Sequence, residues 1–139
     1  MARRTLTPDE RAARAARLDL LAQAATDLEN GRAADIDRAA AILTNYSRRN
    51  VALILAQCEE RGRDIPAAVA GFHDWRKAGR TVRKGAKGLA IYRPRTRKDT
   101  ETGEETRTGY AVTYVFDVAD TDPIGDDSPD TLRELRAGE

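Results

Sequence analysis

Apolar residues in the first part of the chain recur at spacings of three and four: Ala15, Leu18, Leu21, Ala22, Ala25 and Leu28. This is the period of one helical face. Ahead of them, Thr7-Pro8-Asp9-Glu10 is a helix-start signature. Thr7 accepts from an orphan amide, Pro8 suits the first turn, and Glu10 reaches back to complete a capping box. The pattern predicts a helix over 8–29, with Asn30-Gly31 as its left-handed terminator. A second helix is predicted from after Asp35 to about Arg61, ended by Gly62. Ile36, Leu43, Asn50 and Gln57 lie seven apart, flanked on the same face by Ala39, Ala40, Tyr46, Leu53 and Ile54. A third, short helix is predicted from about Pro66 through Phe72 to Trp75, ending near Gly79.

After Gly79 the period drops to two. Thr81-Val82-Arg83, the connection Lys84-Gly85-Ala86-Lys87-Gly88 and residues 89–95 read as a short strand, a turn and a longer strand. Residues 108–118 give the strongest strand, with Val112, Tyr114, Phe116 and Val118 alternating on one face and Phe116 expected inside. The intervening TRKDTETGEETR has no apolar residue to bury and is expected to be a mobile or disordered loop. From Asp120 onward, Pro123, Gly125, Ser128 and Pro129 among acids have linker or disordered composition, and Ser128-Pro129-Asp130 is able to start a last helical turn through Leu132 and Leu135. The expected fold is α+β: two or three N-terminal helices packed on a small antiparallel β-sheet, then an acidic disordered C-terminal tail. At 139 residues one core is expected, divided as an Arg-rich segment and helix start (1–14), a domain (15–119) and an acidic tail or linker (120–139).

Charge changes this picture most. The formal net charge is only +1, yet between Trp75 and Lys98 stand ten Lys or Arg residues and no Asp or Glu. Residues 1–74 balance eleven basic against eleven acidic residues, and 117–139 hold eight acids against two bases. A solvated surface normally intersperses acids among bases, because dense like charges repel. An acid-free basic block interleaved with Trp75, Tyr92 and glycines is instead the footprint of a phosphate backbone.

Other chemistries are poorly supplied. A single Cys58 excludes an internal disulfide and reads as structural, and the only histidine, His73, excludes the His pairs of most catalytic metal sites. His73-Asp74 reads as a surface or capping pair. No Walker spacing or GxGxxG accompanies the glycines, so nucleotide hydrolysis is unsupported. No catalytic residue, metal or cofactor is expected. No apolar stretch approaches the roughly 20 residues that span a bilayer, and the Arg-rich start lacks a secretory apolar core, so no membrane association and a cytoplasmic location are expected.

The candidate phosphate contacts are Arg76, Lys77, Arg80, Arg83, Lys84 and Lys87. Gly79, Gly85 and Gly88 either supply turn torsions or allow close backbone approach. Tyr92 is the preferred stacking residue over Tyr114 because it lies in the basic block. Trp75 reads first as a core or lid residue, and second as a stacking platform. Tyr46, Ser47, Arg48 and Asn50 form a further candidate cluster on one helical turn, where the Asn50 amide is satisfied either by a neighbouring loop or by a ligand.

The ordered series Tyr46-Ser47 with Asn50, Gly71, Trp75, Gly79-Arg80 with Val82, Arg83-Lys84-Gly85, Lys87-Gly88, Ile91 and Val115-Phe116-Asp117 with Thr121 resembles the N-terminal domain of ArdC-type antirestriction proteins, over roughly residues 15–122. The resemblance implies an α+β module that binds single-stranded DNA, of a kind found on plasmids and phages and in proteins linked to conjugation. Larger members add a zinc-metallopeptidase-like domain with an HExxH helix. This chain has no HExxH, so peptidase activity does not carry over. The expected partner is single-stranded DNA, with RNA or duplex DNA bound more weakly. The alternatives are an antirestriction or regulatory factor whose acidic tail mimics DNA to bind a protein, and an accessory domain of a larger enzyme.

Overall fold

The computed structural model describes residues 5–125, and the expected tail helix at Ser128-Pro129-Asp130 lies outside them. The chain is α+β and divides at Asp64/Ile65 into two compact units, one helical and one built on sheets.

In the helical unit, α1 spans Pro8–Gly31. Its start is as predicted: the Thr7 hydroxyl accepts from the Glu10 N–H at 3.1 Å. Its end differs. Gly31 is still helical and Arg32 caps the chain, its N–H donating to the Leu28 carbonyl. Only Leu21, Ala25 and Leu28 of its apolar positions are buried.

The predicted second helix is two helices, α2 Ala33–Ile42 and α3 Arg48–Glu60. Leu43 leaves helical torsions and Ser47 starts a new N-terminus, its hydroxyl accepting from the Asn50 N–H at 3.2 Å. The seven-residue apolar spacing fits an unbroken helix. Thr44, Asn45 and Ser47, whose short polar side chains compete for backbone hydrogen bonds, favour the interruption. Residues 51–58 of α3 are all buried, Cys58 among them. Gln57 is satisfied there by donating to the Leu53 carbonyl at 3.0 Å.

The sheet unit begins with a two-residue strand β1, Val69–Ala70, where the sequence predicts helix. Helix α4 is confined to Phe72–Lys77. Strands β2 Arg80–Val82, β3 Leu89–Lys98 and β4 Glu105–Asp117 follow, then a 3-10 turn Val118–Asp120 and β5 Thr121–Pro123. One antiparallel sheet has the order β1-β4-β3, and β2 pairs with β5 in a second.

Four expectations are corrected here. β2 and β3 are not a hairpin, because β2 takes β5 as its partner, Val82 opposite Thr121 and Arg80 opposite Pro123. Residues 120–123 therefore belong to the fold and not to a linker. Nor is TRKDTETGEETR a free loop. The β3–β4 ladder continues through Lys98 opposite Glu105, and only the tip is a turn, held by Asp99, whose side chain accepts from the Glu101 N–H at 2.8 Å. Alternating Thr and Arg suits a solvated two-stranded ribbon that needs no apolar face of its own. The apolar core of this unit gathers at the hairpin base and α4 around Trp75, Leu89, Ala90, Ile91 and Val115, with Asp117, Asp120 and Thr121 also buried. Phe116, expected inside, is only half-buried.

No helix among the described residues is long and apolar enough to cross a membrane.

Candidate nucleic-acid interface

The acid-free block occupies three places in the sheet unit. Arg76 and Lys77 end α4, where positive charge complements the helix C-terminus. Arg83, Lys84 and Lys87 lie in the connection from β2 to β3. Arg93, Arg95, Arg97 and Lys98 lie on the distal part of β3. All nine are exposed.

They are not equally available. Arg83 pairs with Asp122 of β5 at 3.2 Å, and Lys87 also has an interaction partner. Arg80, a predicted phosphate contact, is half-buried and committed to the fold. Its Nε donates to Thr121 Oγ1 at 2.7 Å and its other end to the Thr121 carbonyl at 3.1 Å, which clamps β2 to β5. Among the described residues, Arg76, Lys77, Lys84, Arg93, Arg95, Arg97 and Lys98 make no ion pair.

The glycines of the connection serve the chain's own geometry. Gly85 has φ +85°, a turn torsion that disfavours side chains. A Cβ on Gly88 would lie 2.8 Å from Tyr114 Cβ, so that glycine admits the tyrosine and not a ligand. Tyr114 is thereby half-buried against the connection.

Trp75 belongs to the core. It is 7% exposed and its indole N–H donates to the Phe116 carbonyl at 2.8 Å, which removes it from the stacking candidates. Tyr92 is half-buried and meets Tyr110 edge-on, ring centroids 6.4 Å apart. Tyr110, absent from the sequence-based candidates, is the most open aromatic here at 59% exposure. The Arg107 guanidinium sits 5.6 Å from its ring centroid and donates to its hydroxyl at 3.2 Å. One signal for Tyr110 is present in the sequence: it shares its parity with Val112 and Tyr114, beyond the last position expected to be buried.

Tyr46, Ser47, Arg48 and Asn50 belong to the helical unit. Ser47 is the N-cap of α3, and Arg48 is held by Asp37 at 2.5 Å and the Ala33 carbonyl. Asn50 and Tyr46 are half-buried and have partners. Arg48 thereby joins α3 to α2. His73, beside Phe72 in an edge contact at 5.5 Å, is exposed. Among the described residues no three His, Cys, Asp or Glu side chains gather into a metal-holding group.

The family model for the N-terminal domain of anti-restriction factor ArdC matches residues 22–118. The chain belongs to this family. Among solved structures, it is similar to the metal-free crystal structure of antirestriction protein ArdC from plasmid R388, at 27% identity and a TM-score of 0.43. That match covers 56% of this chain and 29% of the plasmid protein, so the ArdC-like chain described here spans under a third of that protein's length. No curated protein matches.

Proposed function

We propose that this ArdC-family chain is a non-enzymatic single-stranded DNA-binding module, with its contact surface on the sheet unit. The observation that supports this reading is the set of exposed cations Arg76 and Lys77 at the end of α4, Lys84 in the β2–β3 connection, and Arg93, Arg95, Arg97 and Lys98 along β3, which make no ion pair among the described residues. Such charges hold a counterion atmosphere, and phosphate contact exchanges it for the nucleic acid's own, which favours association through ion release. Arg76, Lys77 and Lys84 are the core backbone contacts. Arg83 joins them by exchanging Asp122 for phosphate. Phosphate contacts position a strand without reading it, so sequence preference is weak. The biological role is protection of single-stranded mobile-element DNA from restriction.

The test is a titration of a labelled single strand, its duplex and the matching RNA over a range of salt concentrations. With about four to six phosphates engaged, log affinity for the single strand falls with log salt at a slope of roughly −3 to −4. Salt-independent binding, or equal affinity for duplex, would sink the reading.

A further inference from the structure

The β3–β4 hairpin reaches well beyond its buried base. Residues 93–98 are exposed without a break, while the ladder stays paired to Lys98 and Glu105. Its two faces differ in chemistry.

On one face stand Arg93, Arg95 and Arg97. Alternate residues on a strand are about 6.7 Å apart, comparable with the separation of successive phosphates along an extended single strand. Their cross-strand neighbours are Ala111, Gly109 and Thr106. An ion-paired ribbon would place carboxylates there. Instead the opposing positions are small and neutral, and three like charges line up without compensation. The register irregularity after Arg95 leaves the row intact, because the extra residue, Thr108, is on β4, with its hydroxyl donating to the Arg95 carbonyl at 3.2 Å. At the far end of the row, Arg97, Lys98, Thr100, Thr106 and Thr108, with the carboxylate of Asp99 at the turn, line a cleft of about 640 Å³, large enough for a nucleotide-sized group.

On the other face stand Tyr92 and Tyr110, with Arg107 beside Tyr110. A tyrosine that remains 59% exposed on a ribbon contributes little burial, whereas one ring edge-on to another forms a platform of fixed orientation. β3 is also the outer strand of the order β1-β4-β3, so a chain lying along its open edge reaches both faces.

Building on the single-strand reading above, we propose that the distal β3–β4 hairpin is the base-contacting arm of the interface. Tyr110, steadied by Tyr92 and Arg107, stacks an unpaired base, and Arg93, Arg95 and Arg97 follow successive phosphates along the open edge of β3. Bases locked in a duplex cannot reach the ring, so this arm supplies the preference for single strands. Cations and Pro94 on an outer strand also guard against edge-to-edge aggregation. That role explains the arginines but not an exposed tyrosine on the opposite face.

The experiment uses the full chain with labelled oligothymidylate and, as control, its duplex with oligoadenylate. Y110A weakens oligothymidylate binding about tenfold or more, the range of a single base–aromatic stack, with the salt slope and duplex affinity unchanged. Y110F, which keeps the ring and loses only the hydroxyl, binds like wild type. R93A/R95A/R97A makes the salt slope shallower by about 2, at roughly 0.7 per phosphate contact on a single strand. Fluorescence of the buried Trp75 confirms that each variant is folded. If wild type binds salt-sensitively while Y110A and the triple variant bind as it does, the hairpin proposal is overturned and single-strand binding by the rest of the unit stands. A triple variant that only self-associates, with affinity and slope intact, assigns the arginines to edge protection and likewise overturns it. Absence of single-strand binding in wild type removes both readings.

Discussion

The two units use arginine in opposite ways. In the helical unit Arg17 pairs with Glu60, Arg32 with Asp35 and Glu59, Arg38 with Asp35, Arg48 with Asp37 and Arg49 with Glu29. Arg49 also donates to Thr26 Oγ1 and the Ala22 carbonyl, joining α3 to α1. Those charges are spent on the fold. In the sheet unit Arg83 pairs with Asp122, while Arg76, Lys77, Lys84, Arg93, Arg95, Arg97 and Lys98 are exposed and make no ion pair among the described residues. Exposed ion pairs contribute little stability, so the difference is less about folding energy than about which charges are left for a partner. A residue type alone therefore does not mark an interface; what stands opposite it does. Arg48 and Arg83 are equally arginine and both were candidates by sequence, but Arg48 is an interhelical contact and Arg83 sits at the margin of a cationic surface.

The largest effect is expected at Trp75, the buried start of the sheet unit's block. Trp75→Ala removes a buried ring and its bond to the Phe116 carbonyl, and is expected to cost about 3–5 kcal/mol, read by denaturant unfolding. A variant of unchanged stability that had lost DNA binding would reverse the assignment and return Trp75 to the surface.

The comparison is sharpest in paired sets of substitutions. Replacing Arg76, Lys77 and Lys84 together with Ala is expected to lower single-strand affinity at least about tenfold at low salt and to make the salt slope shallower by about 2, with the thermal midpoint unchanged. Replacing Arg49 with Ala in the helical unit is expected to do the converse: a loss of roughly 1 kcal/mol of stability and an unaltered slope. If Arg49→Ala changed the slope, the division between structural and partner-facing arginines would fail.

A smaller effect tests the margin. Asp122→Asn frees Arg83 and is expected to raise single-strand affinity by no more than about fivefold, the scale of an exposed pair. The gain should be visible at low salt and screened at high salt. Because residues 121–123 form β5, a truncation meant to test the acidic tail must begin after Gly125 and not after Ala119.

The smallest effect is on acid stability. The hydrogen bond from Arg32 holds the Asp35 carboxyl below its ordinary range, and the N–H groups of Glu101 and Thr102 do the same for Asp99. A carboxyl depressed in the folded state stabilises it fully above its unfolded pKa, near 3.9. That contribution is lost as pH falls through the lower folded value. Asp35→Asn is therefore expected to lower stability slightly at neutral pH and to flatten its decline below about pH 4, followed by circular dichroism. An unchanged acid profile would place the acid sensitivity elsewhere.

The sequence by itself determined the features that depend on near neighbours. Thr7 caps α1 because donor and acceptor are three residues apart, β4 alternates in a window its own length, and the acid-free block is a property of order alone. The residues shared with the ArdC N-terminal domain were likewise readable in line. Tertiary structure alone decided what depends on distant partners. The pairing of β2 with β5, the clamp of Arg80 on Thr121 and the Arg83–Asp122 contact each join residues about forty positions apart, where no local signal ranks one partner above another. The extension of the hairpin through TRKDTETGEETR, and with it the exposure of Tyr110, had the same origin. A polar stretch without an apolar face carries no burial pattern, and it becomes strand only because the ladder started by Leu89, Ile91 and Val115 in the core continues to hold the register outward. The division of arginines followed the same rule, since the sequence counts charges and only the fold sets each one opposite a carboxylate or leaves it facing solvent.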